Sequence, residues 1–291
     1  QTTMKSKFNL RGIFALILAL MTLQTVSAAT PATNQNKPDM TAEKNVNVAV
    51  KTTLGDFVVE LYNDTPKHRD NFVKLVNEGY YNGLLFHRVI RDFMVQTGDP
   101  DSRNAKPGQM LGSGDPGYEI DAEIICPTHI NRRGALAAAR TGDNVNPERR
   151  SSGSQFYVVT GRRFSDGQID QMEQQANHAR GQEIFNRLVK ENRDTIMSLR
   201  RARETEKLNA LQQKLNEQTL AELKANPFKY SEAQREIYRT QGGAPHLDGA
   251  YTVFGEVVSG METIDAIEKV ETGEADRPVK DVKIISMEIV K

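Results

Sequence analysis

Residues 86–99 read FHRVIRDFMVQTGD, and more of the architecture follows from this stretch than from any other. If residues 86–89 form a strand, Phe86 and Arg88 lie on the same side of it, because side chains alternate along a strand. Three nearby side chains would complete an apolar cup with one cation and one amide: Phe93, Met94 and Gln96. The alternative is an arginine on the solvent face of a strand, which this stretch alone does not exclude.

The segments on either side alternate between apolar and polar residues with period two, which predicts short strands. The predicted strands are residues 46–50, 57–61, 84–89, 93–96, 118–124, 134–139, 155–160, 251–258 and 282–290. A helix is predicted from Pro66 with Thr65 as its N-cap and Gly79 at its end, and a second helix is predicted after Ser259. Many short strands with two helices indicate an antiparallel closed barrel, since closure removes exposed strand edges.

Residues 166–242 differ from the rest of the chain in being polar and nearly free of β-branched residues and glycine. Apolar residues recur there at helical spacing, for example Ile184 with Leu188. The pattern predicts two or three amphipathic helices inserted into a loop of the β domain, followed by a short helix from Ser231 to Arg239.

The composition excludes several classes of function. The 291 residues carry 38 basic and 38 acidic side chains, and a nucleic-acid-binding domain usually has a basic excess. The single cysteine, Cys126, excludes an internal disulfide framework and a zinc site built on several thiolates. The glycine pattern of residues 112–117 is interrupted by Pro116, so it is interpreted as a loop and not as a dinucleotide fingerprint.

Residues 1–29 have the features of a secretory signal peptide. Basic side chains at Lys5, Lys7 and Arg11 precede the apolar run 13–23, and small residues follow it. The run is too short to cross a bilayer, so no stable membrane anchor is expected. Residues 30–45 are predicted to be a flexible linker, and residues 46–291 to form the folded domain, interrupted by the insertion 166–242. The mature protein is therefore expected to be exported, to the periplasm if the source is Gram-negative and otherwise to the medium.

The stretch 86–99 resembles the signature of the cyclophilin family of peptidyl-prolyl cis-trans isomerases, F-H-R-V-I followed by F-M-x-Q-x-G-D. Further similar segments occur in the family's order: residues 53–56, 71–81, 136–140, 154–157, 247–249 and 253–255. The resemblance covers residues 46–165 and 243–291 and implies a mainly β fold, an eight-stranded antiparallel barrel closed by two helices.

The resemblance also implies roles for single residues. Arg88 matches the family's catalytic arginine, and His87 matches a neighbouring histidine that is more often structural than a proton carrier. The remaining matches are to substrate-binding positions: Phe93, Met94, Gln96, Ala139, Arg140, Gln155, Tyr157, His246, Leu247 and Tyr251. The family's reaction breaks no covalent bond, so neither a metal nor another cofactor is expected.

Three departures from the family pattern lie at the expected pocket. His246 stands where many members have tryptophan, which predicts weaker binding of cyclosporin-like peptides. Tyr157 and Tyr251 replace a common phenylalanine and histidine, which predicts altered preference without loss of activity.

The primary hypothesis is therefore an exported isomerase that acts on X–Pro bonds of other proteins and assists their folding. An alternative hypothesis is a proline-peptide-binding or chaperone module, in which the helical insertion supplies the surface for a protein partner. A third interpretation of the insertion is a passive elaboration of the surface.

Overall fold

The computed structural model describes residues 45–290. Its ten strands are β1 (Val46–Thr52), β2 (Gly55–Leu61), β3 (Arg88–Ile90), β4 (Met94–Thr97), β5 (Glu119–Ile120), β6 (Ala135–Ala138), β7 (Ser151–Ser152), β8 (Phe156–Val159), β9 (Val253–Ser259) and β10 (Ile284–Val290). Its six α-helices are α1 (Pro66–Asn77), α2 (Asp166–Glu191), α3 (Arg193–Arg201), α4 (Thr205–Ala225), α5 (Glu232–Thr240) and α6 (Met261–Glu268).

Eight of the strands form one antiparallel sheet in the order β10-β1-β2-β9-β6-β8-β4-β3. The sheet closes on itself just before its two end strands. The N–H of Phe86 donates to the carbonyl of Val282 at 2.9 Å, and the N–H of Ile284 donates to that of Leu84 at 2.9 Å. The expected fold class, a mainly β, eight-stranded antiparallel barrel with two helices, is confirmed.

The period of two along the strands separates the barrel core from an outer apolar cluster. Val95 on β4 and Val158 on β8 belong to the interior cluster. Their neighbours Met94 and Tyr157 point to the opposite face and belong to a second cluster. The candidate site lies on this outer face.

Helices α1 and α6 close the barrel. The inward stripe of α1 is Phe72, Leu75 and Val76, and α6 contributes Ile264 and Ile267 to the same interior cluster.

The N-terminus of α1 is capped from outside the helix. Thr65 occupies the N-cap position, but its side chain makes no capping hydrogen bond. The carboxylate of Glu123 instead accepts from the backbone N–H groups of Lys67 at 3.1 Å and His68 at 3.0 Å. This carboxylate satisfies two of the donors that every helix start leaves open.

Three local predictions are wrong. Phe86 packs in the barrel core and does not line the site, because β3 begins only at Arg88 and strict alternation does not extend back to Phe86. The predicted strand 118–124 is shortened to β5, which pairs with β7 in a separate two-stranded ribbon. The N-cap of α6 is Gly260 in the left-handed conformation (φ 80°), and not Ser259.

The described residues divide into two compact units, residues 45–169 with 231–290 and residues 170–230. In the smaller unit, the side chain of Asn177 on α2 bonds both backbone groups of Phe228, at 2.9 and 2.7 Å. Leu188, Ile196 and Leu215 are buried there. The short helix predicted from Ser231 is α5, and Ser231 caps it in a reciprocal capping box with Gln234.

The predicted signal peptide, residues 1–29, and all but the last residue of the predicted linker 30–45 lie outside the described residues. Among residues 45–290, each helix is too short or too polar to span a lipid bilayer.

Candidate active site

Five residues on the outer face of the sheet lie opposite one another in a single row across five strands. The register pairs Arg88 with Gln96, Gln96 with Tyr157, Tyr157 with Ala137, and Ala137 with Val253. Directly opposed side chains of neighbouring strands are close enough to touch. The row therefore places the guanidinium of Arg88 beside the amide of Gln96, and the side chains that follow Gln96 along the row are mainly apolar.

A cavity of about 690 Å³ opens at the Arg88 end of this row, where Arg88, Gln96 and Tyr157 line it. Ten of the twelve predicted site residues line it: His87, Arg88, Phe93, Met94, Gln96, Ala139, Arg140, Tyr157, Leu247 and Tyr251. This volume lies within the range of about 300–1,000 Å³ typical of small-ligand sites. The structure thus brings most of the predicted residues together around one concave surface.

Arg88 is held by two contacts. Its Nη1 donates to Oε1 of Gln96 at 3.4 Å, and its Nε lies 3.5 Å from Oδ2 of Asp276. A guanidinium has five N–H donors. Within residues 45–290 the other three have no protein partner, and the side chain is 42% exposed. Arg88 can therefore donate hydrogen bonds to a molecule in the cavity.

Gln96 and Gln155 form a directed chain behind Arg88. Gln96 accepts from Arg88 through its oxygen and donates through Nε2 to Oε1 of Gln155 at 3.0 Å. Gln155 then donates to the carbonyls of Gly112 at 3.1 Å and Gly114 at 2.7 Å. Gln155 itself lines an adjoining cavity of about 300 Å³ and not the main one. Gln155 therefore contributes to the site by accepting a hydrogen bond from Gln96 and so orienting its side chain.

The base of the cavity is apolar. Met94, Tyr157 and Leu247 are buried in the outer cluster, and Phe93 packs against that cluster from the edge. The hydroxyl of Tyr157 donates to Oδ1 of Asn131 at 3.1 Å, so the polar end of this ring points away from the cavity. Burial raises the pKa of Tyr157 well above its ordinary value. The ring therefore acts as a neutral aromatic wall.

Tyr251 and Arg140 form the opposite side. The Arg140 guanidinium stacks over the Tyr251 ring at 4.5 Å from its centroid and donates to the carbonyl of Ala250 at 2.8 Å. Tyr251 in turn meets Tyr157 edge to face, with 6.0 Å between ring centroids. Both aromatic replacements of the family pattern thus keep their rings at the site.

Ala139 and Arg140 were predicted to bind substrate, and their backbone groups differ in what they can offer to a peptide. The N–H of Ala139 donates to Gln155 at 2.9 Å, and its carbonyl accepts from Ser152 at 2.8 Å. Neither backbone group of Arg140 has a partner within the described part of the chain. An extended peptide would therefore pair with Arg140 and not with Ala139.

The two histidines of the predicted site differ in position. His87 lines the cavity but is only 3% exposed, and burial lowers its pKa to about 4. A neutral ring at pH 7 suits a structural role. His246 does not line the cavity, and its ring lies against Phe93 with 5.2 Å between centroids. His246 therefore contacts the site only through the Phe93 ring.

Sequence reasoning missed two segments that complete the cavity, the loop 107–112 and the turn 273–281. Their glycines and prolines mark them as loops. No local pattern indicates that either segment lies near Arg88. The turn 273–281 is distant from Arg88 in the sequence, and several turns separate the loop 107–112 from it. In the described part of the chain, no group of three or more His, Cys, Asp or Glu side chains is arranged to hold a metal ion.

The sequence matches one family of known proteins over most of its length. The family model described as cyclophilin type peptidyl-prolyl cis-trans isomerase matches residues 47–222 and 231–289. A protein of Staphylococcus haemolyticus, provisionally named a peptidyl-prolyl cis-trans isomerase, is 28% identical over 87% of this chain and 98% of its own length.

Two further similarities extend the comparison. A Streptococcus pyogenes protein, provisionally named a bifunctional phosphatase and peptidyl-prolyl cis-trans isomerase, is 30% identical over 83% of this chain, which spans 38% of that protein. A crystal structure of a Cryptosporidium parvum cyclophilin type isomerase aligns with a TM-score of 0.49 and 20% identity, over 85% of this chain and 99% of that one.

Proposed function

This chain belongs to the cyclophilin-type peptidyl-prolyl cis-trans isomerase family, and from that membership we propose that Arg88 catalyses the reaction at the mouth of the outer cavity. The activity is rotation about X–Pro bonds in proline-containing polypeptides. The observation that carries the proposal is a partly exposed guanidinium with three open donors beside an apolar cup.

The reaction is slow without a catalyst because amide resonance gives a barrier of roughly 18–20 kcal/mol. In the twisted amide that resonance is lost, and the nitrogen regains a lone pair that can accept a hydrogen bond. A guanidinium donates to this nitrogen better in the twisted state than in the planar one. Catalysis requires such a difference in binding between the transition state and the ground state.

The other residues would hold the substrate. Phe93, Met94 and Leu247 bury the proline ring, and the open backbone groups of Arg140 pair with the polypeptide beside it. Burying the ring next to the cation also removes water that would compete for the Arg88 donors.

We expect Arg88→Ala to lower kcat/KM by about two to three decades, the usual effect of removing one preorganised donor. Exchange of a proline peptide between cis and trans, followed by NMR line shape, measures this directly. Arg88→Lys is the matched control, because it keeps the charge and loses the planar fork of donors. We expect it to lose most of the activity as well. An Arg88→Ala enzyme as fast as the wild type would contradict the assignment.

We further propose that the enzyme assists the folding of exported proteins. The support is the arrangement of basic, apolar and small residues in segment 1–29. Expression of the full chain in a bacterial host tests it. The expected product is found in the exported fraction and begins after Ala28 or Ala29, and an uncleaved cytoplasmic product would contradict the proposal.

A further inference from the structure

The turn that follows α6 presents a carboxylate to Arg88. Oδ2 of Asp276 lies 3.5 Å from Nε of Arg88, and the two side chains are 47% and 42% exposed. Asp276 is far from Arg88 in the sequence and close to it only in the folded structure. No other acidic side chain in the described residues contacts Arg88.

The backbone of this turn is strained where it carries Asp276. Ala275 and Asp276 both adopt the left-handed conformation, with φ of 56° and 59°. This conformation costs roughly 1–2 kcal/mol at Ala275, whereas aspartate adopts it more readily than most residues. Such strain persists only where the surrounding structure imposes it, and it is enriched at functional sites.

Arg277 anchors the turn directly after Asp276. Its side chain is buried, and its Nη1 donates to the carbonyls of Lys106 at 2.9 Å and Gln109 at 2.7 Å. Its Nη2 also donates to Asp281 at 3.3 Å. The turn is therefore fastened to loop 107–112 at the residue directly after Asp276, so the position of the carboxylate is set by both cavity walls.

We propose that Asp276 is a positioning residue for Arg88, a role that rests on the proposed catalytic role of Arg88. Arginine has a long side chain with several rotatable bonds, and ordering it costs conformational entropy. The Asp276 carboxylate, 3.5 Å from Nε, and the Gln96 amide oxygen, 3.4 Å from Nη1, restrict the orientations open to the guanidinium. The remaining donors then face the cavity before substrate arrives.

Asp276→Asn tests the role, because asparagine has nearly the same shape and tolerates the left-handed backbone. Both partners are partly exposed, and exposed pairs of this kind are weak. We therefore expect kcat to fall about two- to five-fold with KM unchanged. Glu271→Gln is the matched control, since Glu271 is an exposed carboxylate just before the same turn and makes no contact with Arg88. We expect the control to keep wild-type kcat.

Two further measurements separate positioning from a merely structural role. The ¹⁵N order parameter of the Arg88 Nε–H group should fall in Asp276→Asn and stay unchanged in Glu271→Gln. In the wild type, about 1 M salt reduces the Debye length to about 3 Å. High salt should therefore lower the wild-type kcat toward that of Asp276→Asn, and the kcat of Asp276→Asn itself should not change with salt.

The outcomes distinguish this inference from the proposed function. If Arg88→Ala loses activity and Asp276→Asn matches or exceeds the wild-type kcat, Asp276 does not position Arg88, although the catalytic assignment of Arg88 stands. If Arg88→Ala is fully active, the proposed function itself fails. A raised KM at constant kcat in Asp276→Asn would assign the carboxylate to substrate binding and overturn the positioning role.

Discussion

His87 lies next to Arg88 in the chain but behaves as part of the core. It is 3% exposed, and burial holds its pKa at about 4 against an ordinary value of 6.5. Between these two values the unfolded chain binds a proton that the folded chain does not. The free energy of unfolding therefore falls as pH decreases through this window.

We expect the His87 contribution to reduce stability by roughly 2 kcal/mol between pH 7 and pH 5. Urea unfolding at both pH values measures the change. His87→Gln carries no titrating group and should show a correspondingly smaller pH dependence. Burial lowers the pKa of His68 as well, so some acid sensitivity should remain in the variant. Identical pH dependence in wild type and variant would show that His87 remains able to protonate in the folded state.

Among the secondary-structure elements, helix α1 depends on a residue that belongs to no helix. Glu123 accepts from two N–H groups of its first turn and from Nδ1 of His68 at 2.7 Å. The other ring nitrogen of His68, Nε2, forms a hydrogen bond with Oγ of Ser151 at 2.9 Å. The start of α1 is thus joined to the ribbon of β5 and β7.

We expect Glu123→Gln to lower the free energy of unfolding by about 1–3 kcal/mol, because two helix N–H groups and the ring of His68 lose a charged acceptor. Thermal or urea unfolding measures it. Asp121→Asn is the matched control, since Asp121 lies in the same loop and pairs with the exposed ammonium of Lys67 at 2.9 Å. An exposed pair contributes about 0–1 kcal/mol. Equal losses in the two variants would refute the capping role of Glu123.

At the scale of the whole molecule, the barrel unit includes the last helix of the predicted insertion. Tyr238 on α5 is fully buried, and its hydroxyl donates to the carboxylate of Asp248. Asp248 also accepts from the backbone N–H of Asn131 at 2.8 Å, and Asn131 accepts from Tyr157 in the cavity wall. A chain of hydrogen bonds therefore connects α5 to the site.

Two deletions test what the helical segment contributes. Replacing residues 170–230, one compact unit, with a short Gly-Ser linker should leave kcat/KM within about two-fold of wild type. Deleting residues 168–239 also removes Ile169 and Tyr238, both fully buried, and should unfold the barrel, since each large buried side chain contributes about 2–5 kcal/mol.

The same deletions decide between the hypotheses for the insertion. If loss of residues 170–230 abolishes suppression of client aggregation while isomerase activity persists, the segment supplies a chaperone surface. If both properties persist, the segment is a passive elaboration. A large fall in kcat/KM on removing 170–230 would contradict the independence of the barrel site.

Local patterns along the chain determined much of this protein by themselves. Period-two alternation predicted the strands of the barrel, and Pro66, Gly79 and Ser231 marked helix ends, because these signals depend on neighbouring residues. The stretch 86–99 contains five of the predicted residues that line the cavity, and the resemblance to the family supplied the other five. The alternating pattern predicted a strand from residue 84, but β3 begins only at Arg88, so Phe86 was assigned to the wrong face.

Contacts between segments far apart in the chain were decided only by the tertiary structure. The cap of α1 by Glu123, the pairing of Arg88 with Asp276, and the open backbone of Arg140 all depend on how loops cross the closed barrel. Backbone conformation is largely set by interactions between near neighbours, which any sequence window contains. Which loops then meet depends on strand order and closure, and no short window of residues encodes either of them.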